Sequence, residues 1–365
     1  MTAAYCYNPN RFRKAQGDDW QSWLSLFDVI SSNVTFIDRT ANIINPIRST
    51  IPNFLAMPAY DPGFAMTYKE CCQSAAQRLL ALQESLDVPI RILYSGGIDS
   101  SLVLTSFINQ LGQQAAERRI QIVMSVESIE ENPWMWERLL RRSGFTLING
   151  EAHAGDWDAS RILVGGEFND QLHGSDIYRD LVRWRGDSIL DTRYSQGLIS
   201  EYLRSKIPAQ YADTWTAILH QHMQKAPCPI DTVADFWWWL NFSCKWSSVY
   251  FRILSHARDT SLINDHYCQK HYFQFYGTDD FQRWSMVDRM HKHQGSWVSY
   301  KWHAKQLVAK LCGDEYNQKL KRGSLWRLLS YRRGADIVDD AWQFHDQISI
   351  ADWYDPNNSF RMTNG

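Results

Sequence analysis

The chain has 365 residues, 44% hydrophobic and 21% charged, and its 38 Lys and Arg against 40 Asp and Glu leave a formal net charge of −2. A chain of that length buries a core without disulfide or metal staples, and a near-neutral balance excludes a global footprint for nucleic acid or an anionic membrane, so a small-molecule partner is expected. Its seven cysteines (Cys6, Cys71, Cys72, Cys228, Cys244, Cys268, Cys312) are odd in number and lack any Cys-x-x-Cys spacing, which argues against a disulfide framework or zinc ribbon and for a reducing, cytoplasmic setting. Met1 to Arg11 has no apolar core of a signal peptide, and the longest aromatic run, Phe236 to Phe242, is far short of a membrane span.

In chain order, Trp20 to Ile30 reads as a short helix and Val34 to Ile44 as a hairpin turning near Asp38 to Asn42; Pro46, Pro52, Pro58 and Pro62 mark an irregular connector. A helix is expected over Thr67 to Ser85, with Cys71, Cys72, Ala75, Ala76, Leu79, Leu80, Leu82 and Leu86 as its apolar stripe and Thr67 with Glu70 as a capping box. Ile90 to Tyr94 reads as a strand that breaks at Ser95-Gly96-Gly97 and restarts as a helix from Ile98. Further strands are expected at Gln121 to Val126, Phe145 to Ile148 and Arg161 to Val164, with a helix over Pro133 to Ser143 that Gly144 ends. Alternating strands and helices of these lengths imply right-handed crossovers and a mostly parallel sheet, an α/β fold with its ligand at the carboxyl ends of the strands. From about Asp176 onward the pattern becomes helical. Between Lys301 and Arg333 nine Lys or Arg face two acids, and the tail beyond carries six Asp against one Arg.

Three stretches carry chemistry. In Ser95-Gly96-Gly97-Ile98-Asp99-Ser100-Ser101 the glycines leave no side chain between amides and ligand, while Ser95, Ser100 and Ser101 add hydroxyls and the helix start adds unpaired N–H groups. Such a loop holds phosphate, and a carboxylate inside it, Asp99, repels phosphate unless a cation such as Mg²⁺ lies between. After the fourth strand, Gly165-Gly166-Glu167-Phe168-Asn169-Asp170-Gln171-Leu172-His173-Gly174 brings Glu167 and Asp170 to the mouth of the same sheet, on one helical face if helix begins there. Two carboxylates there serve as a second cation ligand and as a base toward an amine. The third stretch is Tyr300-Lys301-Trp302-His303-Ala304-Lys305, followed by Lys319-Leu320-Lys321-Arg322-Gly323, where mobile ammonium groups suit the charge that builds on a departing pyrophosphate.

Ser-Gly-Gly-x-Asp-Ser resembles the pyrophosphate-binding loop of the ATP pyrophosphatases, and residues 165–174 resemble the Ser-Gly-Glu-Gly-x-Asp-Glu-Leu-Phe-Gly-Gly motif of the asparagine synthetase synthetase domain, with Phe168, Gln171 and His173 as departures. The resemblance implies an ATP pyrophosphatase domain (adenine nucleotide alpha hydrolase-like) over residues 66–333 with a helix-rich C-terminal part, an N-terminal extension over 1–65 and an acidic tail over 334–365. It implies ATP and magnesium as cofactors, Asp99 and Asp170 as metal ligands, Glu167 as base on the nucleophile, Lys301 on the nucleotide phosphates with Lys305 beside it, and adenine against Val123 to Glu127 through backbone contacts, with Val123 and Ser125 among them. Lys321 and Arg322 fit the family's later basic stretch more loosely. The family's acceptor-pocket motifs are not recognisable in Phe236 to Trp246 or Cys268 to Phe275, so the resemblance does not carry aspartate over as substrate. Position 2 is Thr and fewer than a hundred residues precede the loop, so the glutaminase domain of the family is not expected; nitrogen then comes from ammonia, a substrate amine or a separate donor protein.

The expected activity is therefore an ATP-dependent, AMP-forming ligase joining a small-molecule carboxylate to an amine. Adenylation of a nucleic-acid base, as in tRNA modification, keeps the same loop and changes the acceptor; a non-catalytic nucleotide-binding relic keeps neither acceptor nor turnover. Trp237, Trp238 and Trp239 sweep about 200° of a helix at about 100° each, so they are expected to be buried on most sides. His220 with His222, and His291 with His293, sit two apart in expected helices, where rings diverge, and are read as packing or surface residues rather than metal ligands. Cys71 and Cys72 are read as small core residues.

Overall fold

The strand Ile90–Leu93 (here β1) is apolar at three of four positions, and Ile90 and Ile92 are fully enclosed. A strand covered on both faces is what a parallel sheet demands, because its crossovers lay helices on either side. The computed structural model describes residues 21–22, 25–26, 29–30, 38–40, 42–43, 47–50, 55–150, 155–254, 264–288, 292–320, 343–344 and 361–362. Preceding β1 is α1, Tyr68–Leu86, closed at its start by the anticipated capping box: Thr67 Oγ1 accepts the Glu70 amide at 3.2 Å and the Glu70 carboxylate accepts the Thr67 amide at 2.7 Å. Its stripe from Cys71 to Leu80 is buried, with Leu82 and Leu86 half-buried at the rim.

After β1 come α2 (Ile98–Leu111), β2 (Ile120–Met124), the short α3 (Val126–Glu131), β3 (Thr146–Asn149) and β4 (Ile162–Gly165). β2 stops before Ser125, which leaves the sheet to cap α3. The helix expected over Pro133 to Ser143 ends at Arg138: Leu139 departs from helical geometry and Leu140–Arg142 continues as a 3-10 turn. The uniformly helical reading beyond Asp176 also needs correction, because Tyr272–Gln274 forms a fifth strand, β5, against β4. Three residues are too few for periodicity to declare a strand. All neighbouring pairs run parallel, in the order β3-β2-β1-β4-β5, with Ile90 opposite both Ile120 and Ile162.

That order decides where a site forms. The chain steps outward from β1 to β2 and β3, then returns to the other side of β1 as β4, so the connections leaving β1 and β4 diverge and open a crevice at their carboxyl ends. The glycine loop follows β1 and the Glu167 turn follows β4.

The helical part wraps this end of the sheet. α4 (Asn169–His173) follows the turn, and α5 (Val233–Cys244) is buried along its whole length, all three tryptophans included. α6 (Trp246–Leu254), α7 (Asp279–Val287) and α8 (Trp302–Cys312) complete the surround. His220 stacks on Tyr194 and packs, while His222 is buried on the helix Ala209–Gln224 with Nε2 2.8 Å from the Ser243 hydroxyl and Nδ1 3.6 Å from Asp38 Oδ2, in a buried cluster with Cys244; His293 is buried and His291 lies outside the described residues. The six described cysteines are buried and free, and burial raises the Cys71 and Cys72 thiols far above their ordinary value. Cys6 lies outside the described residues.

Six of the eleven residues of the helix expected at Trp20 to Ile30 are described and all six are helical; of the hairpin expected over Val34 to Ile44 only residues 38–40 and 42–43 are described, and they form a turn in which Asp38 accepts the Asn42 and Ile43 amides. Described pieces of the N-terminal extension are built into the rest: Leu26 is fully buried, and the Trp215 indole donates to the Ser22 carbonyl. Ile47–Thr50 pairs antiparallel with Gln343–Phe344 and Arg361–Met362, joining extension and tail in a small second sheet. Among the described residues no helix is long and apolar enough to cross a membrane.

Candidate active site

The loop after β1 is shaped by its glycines. Gly96 has φ +75°, and a Cβ there would lie 2.2 Å from the Ser128 carbonyl oxygen, so α3 packs directly on the loop. Gly97 is the N-cap of α2, and among the described residues the first-turn amides of Ile98, Asp99 and Ser100 have no intrachain acceptor. These are the donors that a helix start offers an anion. Ser95 and Ser100 bond each other through their hydroxyls at 3.1 Å across the turn. Ser101, expected among the phosphate-facing hydroxyls, is fully buried; it accepts from the Asn132 amide at 2.9 Å and fastens the loop from behind.

The turn after β4 approaches closely: a Cβ on Gly166 would lie 3.0 Å from the Ser100 amide nitrogen. Glu167 and Asp170 do not share a helical face. Phe168 is left-handed (φ +76°) and α4 begins only at Asn169, so Glu167 stands in the preceding turn, half-buried, while Asp170 is in the helix's first turn. A non-glycine residue at positive φ costs energy, and here the stacking of Phe168 on Trp246 (4.0 Å between centroids) and the Glu167 amide bond to Gln274 Oε1 hold it.

Asp99 and Asp170 meet at one cation, the ammonium of Lys301. Its Nζ lies 2.7 and 2.6 Å from the Asp99 oxygens and 2.6 Å from Asp170 Oδ1. The Lys301 side chain is almost wholly buried, whereas each carboxylate keeps about a quarter of its surface open. Lys301 caps α8 in the left-handed region (φ +58°), a second strained non-glycine residue at the site. Around this centre Asn169 donates to Asp99 Oδ1 at 2.7 Å, Tyr68 donates to Asn169 Oδ1 at 2.7 Å, Tyr300 donates to Asp170 Oδ1 at 2.9 Å, and Tyr276 donates to the Asp99 carbonyl at 2.8 Å. Burial raises all three phenols well above their ordinary value, so they remain donors.

The departures from the resembled motif have structural roles. Phe168 makes the stack just described. Gln171 reaches Asn241 of α5, whose own amide donates to the Asp170 carbonyl at 2.9 Å. His173 is fully buried among Tyr68, Trp284, Tyr300 and His303, and its Nδ1 lies 2.9 Å from the Asn169 carbonyl. Burial, reinforced by Lys301, lowers it well below the usual imidazole range, so it packs as a neutral aromatic ring.

Lys305 lies one turn beyond Lys301 and donates to the Val298 carbonyl at 2.6 Å. Lys319, outside the expected site set, pairs with Glu131 at 2.8 Å, and Glu131 lies against the glycine loop. Lys321 and Arg322 lie outside the described residues. Burial, then repulsion from Lys301 and Lys319, pushes Lys305 down to about 8. An incoming polyanion favours its charged form, so pyrophosphate binding is expected to take up a proton near pH 8. Binding heats in two buffers of different ionisation enthalpy measure this uptake, which Lys305→Met should remove; equal heats for the wild type would refute it.

Val123, expected at the nucleotide, is buried and gives its carbonyl to the Tyr94 amide at 2.8 Å; Ser125 is buried with its amide on Ser128 Oγ at 3.1 Å. The junction after β2 thus spends two backbone groups internally, and the exposed surface there is the Val126 side chain, 65% accessible. Asn169 and Lys319 lie in stretches singled out in the sequence but were given no role there; Tyr68 and Tyr276 carried no local signal, Tyr68 standing 101 residues from Asn169 in sequence. Searched against protein-family models and curated proteins, the sequence matches none.

Proposed function

We propose that the chain is an ATP-dependent, AMP-forming ligase of the asparagine synthetase-like kind, activating a substrate carboxylate and passing it to an amine. The observation that carries this reading is the convergence of Asp99, Asp170 and Lys301 beside the open amides of the glycine loop, in the crevice between β1 and β4. Two part-open carboxylates sharing one cation, next to a phosphate-binding turn, are a donor set that fits Mg²⁺. Asp99 and Asp170 would hold it, and it would neutralise charge on the pyrophosphate.

The chain's own groups account for the rest. The amides of Ile98 to Ser100 and the hydroxyls of Ser95 and Ser100 bind the β- and γ-phosphates, and Lys301 and Lys305 offset their charge. A substrate carboxylate oxygen attacks the α-phosphorus, the bond to the β-phosphate oxygen breaks, and pyrophosphate leaves. The amine nitrogen then attacks the acyl carbon, the bond to AMP breaks, and Glu167 takes the amine proton. The exposed Val126 side chain offers apolar surface to the adenine. Ammonia, a substrate amine or a separate donor protein supplies the nitrogen.

Exchange of labelled pyrophosphate into ATP, run across a panel of carboxylic and amino acids, tests the first half-reaction. One acid should stimulate exchange, with AMP and pyrophosphate as products once an amine is added. Release of ADP and phosphate instead would sink the mechanism, and exchange stimulated by tRNA but by no acid would move the acceptor to a nucleic-acid base.

A further inference from the structure

Asp38, His222 and Cys244 take no part in the site described above, and they come from three separate parts of the chain. Asp38 opens the turn of the N-terminal extension, His222 lies on the helix Ala209–Gln224, and Cys244 is the last residue of α5. All three are fully buried, and one donor atom from each lies within 4.8 Å of the other two. His222 thus keeps company with Asp38 and Cys244 rather than with His220, which stacks on Tyr194. The turn is pinned to α5 by the Arg39 amide, which donates to the Ser243 carbonyl at 3.0 Å. Within the turn the Asp38 carboxylate is held by four donors: the Thr40 amide and hydroxyl on Oδ1, and the Asn42 and Ile43 amides on Oδ2.

The hydrogens around His222 fix which of its nitrogens is bare. The Ser243 hydroxyl lies 2.6 Å from the Trp239 carbonyl, an atom with no hydrogen of its own, so the one hydroxyl hydrogen is spent there. His222 Nε2, 2.8 Å from the same hydroxyl oxygen, must then be the donor. In the neutral ring this leaves Nδ1 as a lone pair, and among the described residues that atom is buried with no hydrogen-bond partner. Asp38 Oδ2 lies 3.6 Å from it, acceptor beside acceptor, and a proton between them would not make a bond at that length. A metal ion can bridge them. Zinc bonds of about 2.0–2.3 Å to nitrogen, oxygen and sulfur set tetrahedral ligands about 3.3–3.7 Å apart. The Nδ1 to Oδ2 span already has that length, and Cys244 Sγ has to close by at most about 1 Å. The second ring nitrogen donating to a held acceptor, and the carboxylate gripped by amides, are the outer contacts that orient metal ligands.

We propose that Asp38 Oδ2, His222 Nδ1 and Cys244 Sγ bind one zinc ion, which ties the N-terminal extension to the helical layer. Thiolate, imidazole and carboxylate are donors that zinc takes, and the two negative ligands offset its double charge. The thiol gives its proton to solvent as the zinc–sulfur bond forms, so uptake releases one proton per ion. Because all three ligands are enclosed, the ion enters while the chain folds. Its binding depends neither on ATP nor on the reaction proposed for the crevice.

Full-length chain produced in zinc-depleted medium supplemented with cobalt reads the site, because a cobalt–thiolate bond gives a charge-transfer band in the near ultraviolet. The dialysed wild type should carry one cobalt per chain and show this band. Cys244→Ala should abolish it, while Cys268→Ala and His220→Gln should keep it. X-ray absorption at the zinc edge, on wild type from zinc-supplemented medium, should find one sulfur among nitrogen and oxygen neighbours. Wild type without retained metal, a band that Cys244→Ala leaves unchanged, or a zinc shell without sulfur each overturns the proposal. The zinc-edge measurement is made on the wild type, so a variant that fails to fold does not blunt the test. Zinc bound in this way without pyrophosphate exchange would keep the metal site and reject the ligase; exchange by a chain that retains no metal would do the reverse.

Discussion

Replacing Asp99 by Asn is expected to lower pyrophosphate exchange by about 10³-fold while leaving the fold intact. The substitution keeps the shape of the side chain and removes its charge. Asn at this position still accepts from Asn169 and from Lys301 through its one carbonyl oxygen, and Lys301 retains Asp170 at 2.6 Å. The stability loss should stay near about 1–2 kcal/mol, that of one weakened charged hydrogen bond. The loss of exchange should be far larger, because the charge that would hold a cation over the phosphates has gone. Thermal unfolding and exchange on the same preparation separate the two effects. Exchange within threefold of the wild type would show that Asp99 is a structural acid and that the loop does not work as proposed.

Lys301→Met is expected to cut exchange by about 10²–10³-fold and to make stability respond to magnesium. In the wild type one buried ammonium neutralises two acids; without it Asp99 and Asp170 face the same point as like charges. Breaking a fully buried pair costs about 3–5 kcal/mol, but each carboxylate here is about a quarter exposed, so solvent screening reduces the expected loss to about 1–3 kcal/mol. Without nucleotide, added Mg²⁺ should recover part of that loss in the variant and move the wild-type unfolding temperature little, since Lys301 fills the place between the acids until phosphates draw its ammonium away. An identical magnesium response in both proteins would mean that Lys301 and the metal do not compete for one site. This readout needs no substrate, so it stands apart from the exchange assay.

The site was legible in the sequence to the extent that its chemistry is local. The Thr67 and Glu70 box, the strand–glycine–helix passage at Ser95 to Ser100, and the acidic turn after β4 each involve contacts within a few residues. In the sequence Lys301 is legible as a cation at a helix start, which the resemblance sets on the nucleotide phosphates. Its part as the bridge between Asp99 and Asp170 was not legible, because the ion pair to Asp99 spans 202 positions and a lysine's reach fits many partners. The shared helical face expected for Glu167 and Asp170 failed because Phe168 adopts a left-handed backbone, held by stacking on Trp246, which no local rule anticipates. Ser101 shows the reverse: a hydroxyl in the right motif, turned inward where Asn132, the residue that follows α3, meets it.

By itself the sequence determined the α/β alternation, the loop suited to phosphate and the acids beside it, since backbone freedom at glycine, helix-start amides and hydrophobic period are properties of neighbouring residues. The tertiary structure alone decided that the loop and the acidic turn flank one crevice, through a strand order that reverses at β1, and that a buried lysine binds the two acids. It also decided that Asp38, His222 and Cys244 share one buried cluster. The reason is physical: pairing and burial depend on which distant surfaces exclude water together, and nothing in a residue's neighbours fixes that.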